Sequence, residues 1–505
     1  MTRAPSTRIL HDGSAPNRLP AALATRTGAF VACWLHRVHQ RAHPTVAPPV
    51  VLILPLELAW VLLLRSRVAR LERHRLPQLL AMRTRYTPAQ RKESLTRVLT
   101  AVAALHCDSS QPAMLSIDRF LSGWHFGVDV SAVDAVSLRR WLAGILFYVA
   151  SPDELSSEER VELDEAVAAV AAARGSSGEG SSGEGAAARS CASMRVCVPS
   201  EPLNWFHFPL LVYVSLAAIR IVGRIVLSLA GFTHHAVRAG TYYHRAATAA
   251  SGRRPPLVLL PGVGVGVGGY FPLLTSTMSE DDSELILLEL PQVTAGTLLG
   301  FPPTEAEVAA SVLAILAAHS HSRARFLCHS FGTFVMAWLL HEPSGRAAVH
   351  SLILVDPVAL LIAFPHTTHG AVYRRLLEPP LAEATRAGGA HQSRLAAVLR
   401  GARLLRRLGV TLYFMREPHI ALVLQRNVHW PSYSLWLEDV PVDCRVTVAL
   451  STDDAIVPTR EVASYCASCQ GLRVQVLWLQ AHEHGAVIYN SSHWGALSVA
   501  LQDDE

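Results

Sequence analysis

From Pro255 onward the chain alternates short, apolar, β-rich runs with helical patterns, and no other feature restricts its fold as strongly. The runs at 257–260, 285–290, 326–328, 352–355, 445–450 and 473–479 read as strands. Residues 304–319 open with the capping box Thr304-x-x-Glu307, and residues 333–341 form another helical run. Strands and helices in alternation are the signature of a parallel α/β sheet.

One junction in that series carries chemistry. Residues 325–332 read RFLCHSFG, an apolar strand running into Cys-His-Ser-Phe-Gly and then a helix. A serine on a tight strand-to-helix turn needs small residues two before and two after it, because larger side chains would clash. Gly332 meets that need, and Cys328 replaces the first glycine of G-x-S-x-G with another small residue. Ser330 is therefore the expected nucleophile. Upstream, residues 255–269 read PPLVLLPGVGVGVGG, a strand ending in a loop whose backbone N–H groups can approach a developing oxyanion without Cβ interference. The oxyanion donors are expected at Phe331, which follows the nucleophile, and at Val263, with Gly264 as its neighbouring alternative. A phosphate-binding reading of the glycine run ranks lower, since no Lys-Ser/Thr pair and no suitably placed acid accompany it.

Downstream, residues 446–458 read VTVALSTDDAIVP, a strand followed by two aspartates and a turn. An acid there can hold the tautomer of an imidazole and stabilise the imidazolium, a role assigned to Asp454. Asp453 reads as a solvated turn residue, and Asp356 in LILVDPV is the alternative acid one strand earlier. The last strand, RVQVLWL, leads into Gln-Ala-His482-Glu-His484. A base must sit on the loop past that strand, which favours His484 over His482. His493 falls further on, in the closing helix.

The rest of the chain has a different texture. Half of the 505 residues are hydrophobic (50%), only 17% are charged, and mean hydropathy is +0.26, which directs attention to membrane-contacting segments. Residues 50–64, VVLILPLELAWVLLL, contain Pro55 and Glu57 and fall short of a span of about 20 residues. Residues 208–232 are long enough, yet Arg220 and Arg224 lie four apart on one helical face, costly at a bilayer centre. In-plane contact, with the arginines at the headgroups, fits both runs better than clean spans. Residues 155–173 read as an amphipathic helix, and residues 175–185, GSSGEGSSGEG, as a flexible linker placed within 174–188. The first 48 residues form a basic leader, equally readable as a transit-like segment or a disordered tail. Eight scattered cysteines point to reduced thiols and an intracellular address, and Cys466 with Cys469 makes an isolated C-x-x-C of structural character. His234 with His235, His319 with His321, and His366 with His369 lack a convincing third ligand, so no metal is expected.

With these residues in view, the C-terminal half resembles the α/β-hydrolase superfamily, whose order of Ser, Asp and His along the chain it shares. The likeness is wider than the triad. The segments LPLELAWVLLL, RFLSGWHFGVDV, FHFPLLVYVSLAAIRIVGRIVLSLAGF, LPGVGVGVGGYFPLL, CHSFG and QRNVHWPSYSLWLEDV are similar to those of largely uncharacterised, membrane-associated eukaryotic hydrolases, especially fungal-type ones. The resemblance spans approximately residues 49–501 and implies an α/β-hydrolase fold with a mostly parallel central sheet. It further implies that residues 49–240, mainly helical and membrane-associated, accompany a catalytic domain at 251–505. Pro261 stands where many relatives carry His before the loop glycine.

Between the strands near Val355 and Arg445 lies an insertion, about 359–440, expected to form a helical cap. Its Tyr413, Phe414, Trp430 and Trp436 suggest a hydrophobic acyl ester, thioester or lipid substrate, and Arg400, Arg403, Arg406 and Arg407 suit anionic headgroups or a solvated helical face. The expected reaction is hydrolysis through an acyl-serine. An acyltransferase with the same triad and a non-catalytic membrane scaffold are the rivals. No organic cofactor, metal or nucleic-acid partner is expected.

Overall fold

The apolar strand runs are rich in Leu, Val, Ile and Ala, so they can be covered on both faces, and in the computed structural model all but the edge run at 473–479 are. The structure describes residues 47–73, 81, 83–106, 116–125, 127, 133–175, 203–247, 254–280, 283–297, 302–373 and 415–502. The basic leader, the linker after Gly175 and the part of the insertion at 374–414, with Tyr413, Phe414 and the four arginines at 400–407, lie outside them.

Eight strands form one sheet: β1 (Thr233–Val237), β2 (Gly240–Arg245), β3 (Leu257–Leu260), β4 (Leu285–Glu289), β5 (Ala324–His329), β6 (Val349–Val355), β7 (Arg445–Ser451) and β8 (Arg473–Leu479). Their spatial order is β1-β2-β4-β3-β5-β6-β7-β8. The pairs from β4 to β8 are parallel, while β1 and β2 form a hairpin that joins β4 antiparallel. Every residue of β3 and β5 is buried, whereas the edge strand β8 is exposed at alternate positions. Arg325 is the exception in composition on β5. Its guanidinium is buried but donates to the carbonyls of Pro255 and Leu501 and to Ser283, which ties the starts of β3 and β4 to the C-terminus.

The sheet takes in Thr233–Arg245, ahead of the expected domain start at 251, because the hairpin's Tyr242 and Tyr243 bury against the core. The division into 49–240 and 251–505 also needs correction. Residues from Leu64 to Glu505 form one compact unit. Within the larger unit α1 (Pro88–His106), α2 (Ile117–Trp124), α3 (Ala135–Phe147) and α4 (Ser157–Gly175) share a hydrophobic core with β3, β6 and β7. Phe120, Trp141, Leu142 and Phe147 are at most 2% exposed, and each such side chain contributes about 1.5–3 kcal/mol of burial. Polar contacts fix the same docking. Arg91 pairs with Glu162 through two bonds of 2.6 and 2.7 Å, and Arg97 reaches Asp439 at 2.8 Å.

Helix α5 (Leu210–Leu229) has 20 residues and a mean hydropathy of 2.1, long and apolar enough to cross a membrane. Its inner stripe, Tyr213, Leu216 and Leu227, is buried, while Leu211, Val214, Val222, Ile225 and Leu229 are exposed. Arg220 does not face outward as expected. It donates to the carbonyls of Ala295 and Gly296, and Arg224 donates to the Tyr243 hydroxyl at 3.3 Å. Gly223 lets this helix approach the backbone of Gly268 in the glycine-rich loop, where either Cβ would crowd the opposite glycine.

Candidate active site

Strand β5 ends at His329 and passes directly into helix α6 (Gly332–His341), which leaves Ser330 at the turn with φ of +49°. A non-glycine residue in the left-handed region is held there only by its surroundings. Here the Ser330 N–H donates to the Val355 carbonyl at 3.0 Å, and the Ser330 carbonyl accepts from the Thr333 hydroxyl at 2.6 Å. Two glycines make the turn feasible. A Cβ on Gly332 would overlap the Leu260 carbonyl oxygen, and one on Gly262 would press against His329 and the Ser330 Cβ. Cys328, two before the serine, is fully buried, and that burial pushes its thiol well up, out of the reactive range.

The structure brings the three expected residues into one line. Ser330 Oγ lies 2.8 Å from His484 Nε2, and His484 Nδ1 lies 2.7 Å from Asp454 Oδ2. The other oxygen of Asp454 accepts from the N–H groups of Ile456 and Val457 at 2.7 and 2.9 Å, and the carboxylate is fully buried. Burial works against a charge on His484. The charge of Asp454 and its hydrogen bond, with Asp356 behind them, outweigh that and raise the imidazole to about 9.

The alternatives separate clearly. Asp453 is exposed in the turn, as a solvated residue should be. His482 is buried with Nδ1 at 2.9 Å from the Gln480 carbonyl and its ring against His493, so it does not reach Ser330. Asp356 neither binds the imidazole nor lies outside the site. Its two oxygens accept from the N–H groups of Ser451 and Gly485, and an oxygen of each aspartate and a nitrogen of His484 lie within 4.8 Å of one another. Burial and the neighbouring Asp454 push the Asp356 carboxyl upward.

Among the described residues, the N–H groups of Val263 and Phe331 donate to no protein acceptor, and both residues line the cavity at Ser330. The Gly264 alternative is corrected: its N–H donates to the Val293 carbonyl at 3.0 Å and its carbonyl accepts from Ala295 at 2.7 Å. That pairing consumes the donor. Two residues escaped the sequence reading. Tyr270, on the short turn after the glycine run, takes the Gly262 N–H on its hydroxyl at 2.7 Å and bonds His329 Nδ1 at 2.7 Å. His329 is held neutral, lowered to about 3 by burial and then by the charge of His484. A histidine beside the nucleophile and a tyrosine after the loop were visible as residues, but nothing in their spacing linked them.

A cavity of about 140 Å³ opens on Ser330 and His484. Its walls are mostly apolar, and beyond the catalytic loops and α6 they come from two regions. The expected insertion supplies Ile362, Ala371, Met415 and Leu424, while helices α1 to α3 supply Leu95, Val98, Phe120, Trp124, Trp141 and Ile145. Trp124 is pinned there by a 3.0 Å bond to the Ala363 carbonyl. The N-terminal helices thus line the same cavity as the insertion, a contact the sequence did not reveal.

No family model and no curated protein matches the chain. Among solved structures it is similar to a hydrolase from Pseudomonas aeruginosa PA01, at 18% identity over 54% of this chain and 98% of that one, with a TM-score of 0.37. An esterase from Rhodococcus sp. ECU1013 matches at 21% identity over 55% and 100%, with a TM-score of 0.37. A structure described as a membrane phospholipase A and a novel bacterial virulence factor matches at 16% over 58% and 94%, also at 0.37. The chain's own strand order, with the serine turn after β5, is the arrangement of the α/β-hydrolase fold.

Proposed function

We propose that this chain is a serine hydrolase that cleaves a hydrophobic acyl ester, thioester or lipid through an acyl-serine intermediate. The observation that carries this reading is the hydrogen-bonded line from Asp454 through His484 to Ser330, opening on an apolar cavity. In this reading His484 takes the Ser330 proton as Oγ attacks the acyl carbon. The tetrahedral oxyanion settles against the N–H groups of Phe331 and Val263, and the imidazolium is held by Asp454. As the intermediate collapses, His484 gives its proton to the leaving group. It then takes a proton from water as the water oxygen attacks the acyl carbon, and returns that proton to Ser330 Oγ as the acyl–Oγ bond breaks and the carboxylic acid leaves. The carboxylates that raise His484 to about 9 favour the imidazolium formed at each step, and they leave a smaller neutral fraction at pH 7.

The same reading places α5 at a membrane surface. Its outer side chains are apolar, its arginines bond to the protein, and its inner side touches the loop that bears Val263. A bilayer surface there would bring acyl substrates near the cavity.

Turnover of p-nitrophenyl acyl esters, free and in mixed micelles, by wild type and Ser330→Ala tests the reading. Turnover by wild type alone supports it. Equal rates from both proteins, or none from folded wild type, would remove it.

A further inference from the structure

At the opposite end of the parallel strands from Ser330, three imidazoles from two segments converge on one carboxylate. Glu284 sits just before β4. One of its oxygens accepts from His244 Nε2 on β2 at 2.9 Å, and the other accepts from His321 Nε2 at 2.8 Å. His319, two residues earlier in the turn that leads to β5, lies with Nδ1 3.9 Å from the same carboxylate. Its ring stacks on that of His244 with centroids 3.9 Å apart. One donor atom from each of His244, Glu284 and His319 falls within 4.8 Å of the others. The rings are half-buried rather than spread over the surface.

An ion-pair cluster is the plain reading of such a group, but one carboxylate balances one cation. Three imidazoles packed around it cannot all be charged without repulsion. A neutral imidazole is the form that binds a metal. The outer nitrogen is also placed for that role, since His319 Nε2 lies 3.3 Å from the Tyr242 hydroxyl. In the tautomer with Nε2–H donating to Tyr242, Nδ1 presents a lone pair towards the Glu284 oxygen, and a cation between the two is held by both.

We propose that His244, Glu284 and His319 bind one divalent ion of the zinc class, with His321 holding the other oxygen of Glu284, and that the ion clamps β2, β4 and the entry to β5 together. Two imidazole nitrogens and one carboxylate oxygen, with water in the fourth position, suit zinc and its late first-row neighbours; calcium and magnesium call for oxygen-rich shells. Zinc bonds of about 2.0–2.2 Å in a tetrahedron set donor separations near 3.3 Å, so the 2.9 Å contact of His244 opens by a few tenths of an ångström and His319, at 3.9 Å from the carboxylate, closes by a similar amount. The six residues of β5 put this cluster roughly 20 Å from the serine turn, so the ion stabilises the sheet and takes no part in the chemistry. In sequence only the pair His319 and His321 was visible. The remaining donors, Glu284 and His244, are distant in sequence and are brought in by the pairing of β2 with β4.

Calorimetric titration of the full chain in detergent with zinc chloride, after chelator treatment, tests the assignment. Wild type and the control His234→Ala should take up one equivalent, with a rise in Tm. His319→Ala and Glu284→Gln should bind more than about 100-fold more weakly. No uptake by folded wild type would overturn the proposal. So would unchanged affinity in both variants, or loss of binding in His484→Ala instead. If the variants fail to fold, zinc-edge X-ray absorption of the wild type decides: an imidazole-rich nitrogen and oxygen shell supports the site, and a sulfur or water shell overturns it.

Discussion

Asp356 Oδ2 accepts a 2.7 Å hydrogen bond from the N–H of Gly485, the residue that follows His484. Asp356 itself sits at the end of β6 with φ of +45°, and its other oxygen holds the Ser451 N–H. The base loop is therefore tied to two strand ends, by Asp454 after β7 through the imidazole and by Asp356 after β6 through the backbone. One carboxylate orients the ring, and the other fixes the chain that carries it and adds negative charge beneath it.

Replacing Asp356 with Asn removes that charge and leaves one buried N–H facing an amide donor, at a cost of about 1–3 kcal/mol in stability. The kinetic consequence has a definite sign. Neutral His484 is the active form, so the rate of ester hydrolysis rises as pH passes the imidazole's value, which lies above the ordinary 6.5, towards about 9. In Asp356→Asn less negative charge stabilises the imidazolium, and the rising limb moves to lower pH. A limb that stays in place in the folded variant contradicts the electrostatic role.

Tyr270 joins the oxyanion loop to the serine turn through one hydroxyl. Tyr270→Phe leaves the Gly262 N–H buried without an acceptor, which costs about 1–3 kcal/mol. It also loosens the neighbouring Val263 donor. The expected pattern is a fall in kcat with little change in KM, measured on a short-chain ester, because the donor acts on the oxyanion and not on the bound acyl chain. A rise in KM at constant kcat would place Tyr270 in substrate binding instead.

Val98 on α1 faces the cavity. Val98→Phe fills part of that volume and should shift preference towards shorter acyl chains, by roughly tenfold or more for each methylene the pocket no longer admits. Chain-length series of kcat/KM for the two proteins measure this. An unchanged profile would mean that the N-terminal helices do not border the acyl site.

How much of this was legible follows from how local each signal is. The serine turn was readable because so tight a strand-to-helix turn admits only a small residue at Gly332, where a Cβ would overlap the Leu260 carbonyl, and the central parallel strands because burial on both faces favours apolar side chains. The hairpin of β1 and β2 was not, since THHAV and GTYYHR are polar edge strands with no continuous apolar run. Val263 and Gly264 look alike in sequence. Only the Val293 carbonyl, delivered by the turn after β4, distinguishes the free donor from the engaged one. The cavity walls were hidden for the same reason, because Trp124 meets Ala363 across 239 residues and Arg97 meets Asp439 across 342.

Intact-mass analysis of the purified chain after reaction with a fluorophosphonate tests the central claim most directly, because the reagent reports an activated serine without requiring the natural substrate. One adduct is expected on wild type, located at Ser330, absent from Ser330→Ala and formed at least about 10³-fold more slowly in His484→Ala. An adduct that persists in a folded Ser330→Ala protein, or a folded wild type that stays unmodified, would contradict it.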